Sequence, residues 1–116
     1  MVIKALIMGA AALAGLSAGA AQAAPEAASD YAAAAITSGQ LGEAERALQP
    51  ASYADVNDPA RLINIATVYA RTARLSDAQA ALMQVRALPA EQLELANGVS
   101  YSSHQIAGAM LKRLGQ

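Results

Sequence analysis

The chain has 116 residues, no cysteine, and a formal net charge of −1 from eight Lys/Arg and nine Asp/Glu residues. This length accommodates one domain. The weak, mixed charge argues against nucleic acid or an anionic lipid surface as a partner, because both attract a clearly basic surface. The lack of cysteine excludes disulfides and the acylated anchor of a lipoprotein, so stability must come from packing.

The first 23 residues have the three parts of a cleavable secretory signal. Lys4 lies in a basic start, residues 5–16 are apolar or small, and Ala21-Gln22-Ala23 offers a signal peptidase small side chains. As a helix, the 12-residue apolar run would span about 18 Å, less than a hydrocarbon core of roughly 30 Å. The sequence predicts cleavage after Ala23, with an uncleaved signal anchor as the alternative. Cleavage would remove only one charged residue, Lys4, so the mature domain, residues 24–116, would carry a net charge of −2.

The start of the mature domain predicts one helix pair. Ser29 or Asp30 can cap a first helix, whose alanine run has the highest intrinsic helix propensity, and Gly39 ends it. A second helix is expected to begin near Leu41. Pro50 stops it, because proline cannot continue a helix.

A second helix pair is predicted after a polar connection. Asp58 and Pro59 are typical of a helix start, with an aspartate N-cap and proline at the first helical position, and this helix should reach about Ala73. Ser76-x-x-Gln79 has the pattern of a capping box that opens the next helix, which Pro89 closes. The apolar residues recur at helical spacing, with Leu62, Ile65 and Tyr69 in the first helix and Ala78, Leu82 and Val85 in the second.

The tail predicts a short β-hairpin followed by a helix. Asn97-Gly98 lies between two alternating segments, and this dipeptide favours a type I′ hairpin turn. The alternative is a short helix from Glu91 to Ala96 that Gly98 terminates. Ser102-x-x-Gln105 then opens a last helix. Its apolar face is formed by Ile106, Met110, Leu111 and Leu114.

Equivalent residues recur at a fixed interval of 34 positions. The pairs are Ala32 and Ala66, Ala44 and Ala78, and Leu48 and Leu82. Small residues at these sites let two helices approach closely, while larger ones fill the space beside them. The period predicts two similar units at about residues 24–57 and 58–91.

This pattern resembles the tetratricopeptide repeat family, and in particular the small exported members found in bacteria. The resemblance implies a mainly all-α fold with two helix-turn-helix repeats and a capping segment at residues 92–116. The first unit departs from the family pattern, since Ala35 replaces an aromatic residue. Ser103 and Lys112 occupy the positions where a third unit would need a large and a small residue. The tail is therefore expected to cover the second unit rather than to repeat it.

The residues with chemical potential are better explained as structural. His104 follows Ser102 and Ser103 at a helix start, where serine is a common cap, and no acid is placed to complete a catalytic triad. Asp55, Asn57 and Asp58 lack the glycine and distal glutamate of a calcium loop. The sequence predicts no catalytic residue, no metal site and no cofactor, so we expect a protein that is not an enzyme.

The resemblance also implies where a partner would bind. Family members use the face formed by the first helix of each pair, and the matching positions here are Ala33, Ile36, Thr37, Ile63, Asn64, Thr67 and Arg71. The variant of the family that clamps a C-terminal carboxylate needs basic residues where this chain has Ala60 and Ile63. Recognition of a free C-terminus is therefore not expected.

Two functions remain open at the level of the sequence. The first is a periplasmic or extracellular interaction module that binds a protein or an extended peptide of the cell envelope. The second is a structural accessory that completes a larger envelope assembly and has no ligand in its groove. Neither requires insertion into the membrane after the signal is removed.

Overall fold

The protein is described by a computed structural model that covers residues 4–5, 25–50, 55–95 and 97–115. Most of the predicted signal lies outside these residues. The expected fold class, mainly α with a short hairpin, is confirmed. The helices are α1 (Pro25–Thr37), α2 (Leu41–Ala47), α3 (Pro59–Arg71), α4 (Leu75–Ala87) and α5 (Ser103–Gly115), and the strands are β1 (Lys4–Ala5), β2 (Gln92–Glu94) and β3 (Ser100–Ser102).

The helix boundaries repeat with the period seen in the sequence. The start of α3 follows the start of α1 by 34 residues, and the same interval separates the starts of α2 and α4. Helix α5 does not continue this series, because it begins 44 residues after α3. The chain therefore folds as two similar helix pairs followed by a different C-terminal segment.

The two helix pairs also share the same turn. Gly39 and Ala73 have positive φ angles of 84° and 64°. The next N–H reaches back five residues in each case, from Gln40 to the carbonyl of Ala35 and from Arg74 to that of Tyr69, both at 2.8 Å. This hydrogen bond, with a left-handed residue before its donor, defines a Schellman motif. Only the first unit has glycine at the left-handed position.

Exchanging the residues at these two turns should change stability in opposite directions. We expect Ala73→Gly to raise the free energy of unfolding by about 0.5–1 kcal/mol. Glycine removes the strain of an alanine in the left-handed conformation, and this gain exceeds the loss from the greater conformational entropy of glycine in the unfolded chain. Gly39→Ala should lower it by about 1 kcal/mol. A methyl group at Gly39 would meet no atom within 4 Å, so that variant measures backbone strain alone. Urea denaturation checks both, and equal effects of the same sign would contradict the assigned turn.

Local sequence signals predict some of the helix starts correctly and others wrongly. The side chain of Asp58 accepts a hydrogen bond from the N–H of Ala60 at 3.2 Å, which confirms the predicted N-cap of α3. The predicted caps Ser29 and Asp30 are wrong, because α1 already begins at Pro25, a residue suited to the first turn. The capping box at Ser76 is also wrong. The Schellman turn leads directly into α4, so its N-cap is Arg74, which makes no side-chain capping bond.

Helix α3 lies at the centre of the fold and contacts all four other helices. Its residues 59–66 and 68 are buried, which is more than one face of the helix. Ala66 in α3 and Ala78 in α4 are both fully buried, as the period predicts for the sites of close approach. The core is built from small and aliphatic side chains, the largest fully buried ones being Leu48, Ile63, Leu82, Leu93, Val68 and Val85.

The predicted hairpin is present, but its turn differs from the expectation. Strands β2 and β3 are antiparallel, and Leu93 pairs with Tyr101. Gly98 has a φ of 87°. The N–H of Gly98 donates to the carbonyl of Leu95, and the N–H of Leu95 donates to that of Val99, both at 2.9 Å. This is the three-residue loop with a left-handed glycine, so the type I′ prediction is wrong.

Helix α5 covers α4 at the end of the stack. Its start has the predicted reciprocal cap, since Ser102 Oγ accepts from the N–H groups of His104 and Gln105 while the N–H of Ser102 donates to Gln105 Oε1. Ile106 is buried, and Met110 and Leu114 are partly buried against the core. Lys112 and Arg113 are exposed in the last turn, where the helix dipole favours positive charge.

Candidate partner-binding face

The α1–α3 face is the surface that the sequence predicts for a partner. Of its seven residues, Thr37 and Arg71 are exposed, Ala33 and Thr67 are half-buried, and Ile36, Ile63 and Asn64 are buried. A partner could therefore contact the first four directly, whereas the last three are covered by the rest of the protein. Ile63 and Asn64 are buried because α3 contacts all four other helices, and Ile36 lies in α1, which packs against α2 and α3. Their role in binding stays a prediction.

Asn64 has an unusual environment on this face. Its side chain is 1% exposed, and its Nδ2 atom has no hydrogen-bond acceptor among the residues that the structure describes. A buried polar group without a partner costs about 1–3 kcal/mol, and native proteins retain few of them. Asn64 is thus an amide donor that folding leaves unsatisfied.

Arg71 and Thr67 already have contacts inside the protein. Arg71 Nη1 donates to the carbonyl of Ile36 at 3.2 Å, and Thr67 Oγ1 donates to the carbonyl of Ile63 at 3.0 Å. The carbonyl of Ile36 is in the last turn of α1, where it also accepts from the backbone N–H of Gly39 at 3.1 Å and where the helix dipole attracts cations. Arg71 therefore joins the two units. The bond uses one of the five N–H donors of the guanidinium group.

Arg61 is a structural residue that sequence analysis missed. It is 7% exposed, and it donates from Nη1 to the carbonyl of Leu48 at 2.7 Å and from Nη2 to that of Val56 at 2.9 Å. These bonds link the C-terminus of α2 to the loop before α3. The available signal was the spacing of four residues between Arg61 and Ile65, which places the arginine on a buried side of α3.

A second arginine ties α2 to the turn of the second unit. Arg74 makes a two-pronged ion pair with Glu45, with nitrogen–oxygen distances of 2.6 and 3.1 Å. The guanidinium carbon also lies 4.7 Å from the centre of the Tyr69 ring, a cation–π distance. The hydrogen bonds from Arg74 lower the pKa of the Glu45 carboxyl group from its usual value. Both side chains are partly exposed, Arg74 by 40% and Glu45 by 30%, so solvent and salt weaken their contribution to stability.

The outer surface of the first unit has a smaller polar contact. Tyr31 donates its hydroxyl hydrogen to the carboxylate of Glu43, which connects α1 to α2. This hydrogen bond raises the pKa of the Tyr31 hydroxyl. Tyr31 is 52% exposed, so the contact leaves about half of the residue in solvent.

The serine and histidine side chains at the start of α5 have structural contacts. Ser103 Oγ accepts from the N–H of Glu91 at 2.9 Å, and the carbonyl of Glu91 accepts from the N–H of Ser103 at 2.7 Å. His104 Nε2 lies 2.6 Å from the carbonyl of Leu88, at the end of α4. These contacts, with the cap from Ser102, fasten the segment after α4 to α5.

The acidic connection before α3 also stabilises local structure. Asp55 Oδ1 accepts from the N–H of Asn57 at 2.9 Å, and Asp58 caps α3. Within the described ranges, no group of three or more His, Cys, Asp or Glu residues is arranged to hold a metal ion. The expected helix-capping role of Asp58 is confirmed by its hydrogen bond from the N–H of Ala60.

Comparisons with known proteins give no family for the chain. It matches no model of a protein family, no curated protein and no solved structure. The tetratricopeptide resemblance therefore stays a prediction. In the part of the chain that is described, no helix has both the length and the apolar character needed to cross a bilayer.

Proposed function

We propose that this chain is an exported, non-catalytic interaction module that binds a protein or extended peptide of the cell envelope across the α1–α3 face. The observation that carries this proposal is the unsatisfied Nδ2 donor of Asn64. An extended peptide has backbone carbonyls along its length, and one of them can satisfy a donor that the fold leaves without an acceptor.

The proposed cleavage of the signal does not reduce a partner's access to this donor. The 1% exposure of Asn64 applies to the full 116-residue chain. Removal of residues 1–23 cannot bury this side chain further and can only leave its exposure unchanged or increase it. Thr37 and Arg71, on the same predicted face, are already exposed. They would meet a partner first, and the backbone of that partner would then reach Asn64.

Replacing Asn64 with leucine should separate stability from binding. Leucine has the same branched outline as asparagine and no polar atom, but it is larger. Asn64→Leu is therefore expected to raise the free energy of unfolding by about 1 kcal/mol, which is the gain from removing the unsatisfied donor less the cost of tighter packing. The same change should abolish partner recovery in crosslinking and pulldown from the native envelope. Asn57→Leu is the control at an exposed asparagine, whose Oδ1 accepts an exposed hydrogen bond from Gln84 at 3.1 Å. It should lower stability by less than about 1 kcal/mol and leave recovery intact. Partner recovery that survives Asn64→Leu would refute the role of this donor.

The structural-accessory function is supported by a different observation. Leu75 and Met83 of α4 are 45% and 59% exposed, and a larger assembly would bury them. If this function is correct, Met83→Glu disrupts the assembly while Asn64→Leu has no effect on it. The two functions therefore predict opposite responses to the same pair of variants.

A further inference from the structure

The outer edge of β2 has backbone groups that its own hairpin does not use. Ser103 donates to the carbonyl of Glu91, and Leu95 donates to that of Val99, so the odd-numbered residues of this segment bond to the β3 side. Antiparallel pairing alternates along a strand. The N–H and C=O groups of Gln92 and Glu94 therefore point away from β3 and form the free edge of the hairpin.

Residues of the predicted signal occupy this edge. Strand β1 pairs with β2 in parallel, with Lys4 opposite Leu93 and Ala5 opposite Glu94. In that register the backbone of Lys4 falls between the outward groups of Gln92 and Glu94. Both residues of β1 precede the predicted cleavage site after Ala23, so processing would remove the strand. Among the described residues, none other than β1 pairs with this edge. An unpaired edge is a template for another strand.

The hairpin also offers apolar surface next to this edge. Residues directly opposite in a sheet share a face, so Leu93, Leu95, Val99 and Tyr101 lie on the same side. Leu93 is fully buried, but Val99 and Tyr101 remain 44% and 42% exposed. The other side has Glu94, which is exposed and disfavours an acidic residue opposite it.

We propose that the β2 edge of the processed protein is a strand-addition site, which takes an extended, non-acidic segment of a partner protein parallel to β2. This inference rests on cleavage of the signal and is independent of the α1–α3 face. Main-chain hydrogen bonds provide the affinity, as in other cases of strand addition. Before cleavage, β1 holds the site closed, so the unprocessed chain cannot accept the partner.

The test uses processed protein from the exported fraction and a synthetic peptide of residues 1–8 as the probe. Amide hydrogen exchange is followed by NMR at Glu94, whose N–H faces the edge, and at Leu95, whose N–H is bonded to Val99. Without peptide, Glu94 should exchange freely while Leu95 is protected. The peptide at millimolar concentration should slow exchange at Glu94 at least tenfold and leave Leu95 unchanged.

Matched peptides decide whether the added segment is a strand. The peptide with Lys4→Ala keeps the backbone N–H and should slow exchange at Glu94 as the original peptide does. The peptide with Lys4→Pro lacks this donor and should leave exchange at Glu94 unchanged. Processed protein with Asn64→Leu should respond like the unmodified protein, which separates this site from the α1–α3 face. The proposal is overturned if Glu94 is already protected without peptide, if all peptides act alike, if none acts, or if exported protein retains residues 1–23.

Discussion

Removing the chain from Val99 onward should leave a protein that aggregates or melts at a much lower temperature. The deletion takes away α5, which covers α4 with Ile106, Ala107, Met110 and Leu114. Burial of a large aliphatic side chain contributes about 1.5–3 kcal/mol, so the loss is about 5 kcal/mol or more. This approaches the whole stability of a small domain. Thermal melting and light scattering measure the two outcomes.

A point substitution gives a graded version of the same test. Ile106→Asn puts a polar group into the contact between α5 and the core and should cost about 3 kcal/mol. Ala109→Asn is the matched control, because Ala109 lies on the exposed side of the same helix and should tolerate the change. A truncated chain that stays monomeric with an unchanged melting point would show that α5 is not a cap. Helix α5 would then become the best candidate for the partner-binding element.

The second large effect is expected at Arg61. Arg61→Met keeps most of the apolar stem but removes both charge-assisted bonds, to the carbonyls of Leu48 and Val56. A hydrogen bond to a charged group contributes about 1.5–3 kcal/mol, so we expect a total loss of about 3 kcal/mol. Chemical denaturation measures this loss.

The controls for Arg61 separate charge from geometry. Arg61→Lys keeps the charge, but a single ammonium group cannot reproduce the planar fork, so most of the loss should remain. Arg86→Met, at an exposed arginine of α4, should be close to neutral. Neutral behaviour of Arg61→Met would contradict the view that this side chain joins α2 to the loop before α3.

The repeat period explains why much of the fold was visible in the sequence. Small residues at Ala66 and Ala78 are required wherever two helices approach closely, and this requirement leaves a mark at a fixed spacing. The Asp58-Pro59 start and the Ser102 cap were equally readable, because each involves a local hydrogen bond between residues two or three positions apart. Asn97-Gly98 indicated a hairpin for the same reason, although the dipeptide does not fix the loop length.

Features that depend on distant partners left no comparable pattern. The α4 cap was mispredicted because Ala73 adopts a left-handed conformation that normally indicates glycine or asparagine. The bonds from Arg61 to Leu48 and from Arg71 to Ile36 join residues 13 and 35 positions apart. The burial of Ile63 and Asn64 follows from the packing of four helices around α3. The spacing of apolar residues within one helix cannot indicate this arrangement.

The most direct test of the proposed function is site-specific photocrosslinking of the processed protein in its native envelope. A photoreactive residue is placed at Thr37 on the α1–α3 face or, as the comparison, at Met83 on α4, both of which are exposed. The proposed function predicts a discrete crosslinked partner from Thr37 that disappears when Asn64 is replaced by leucine. A partner captured only from Met83, and unaffected by Asn64→Leu, would contradict it.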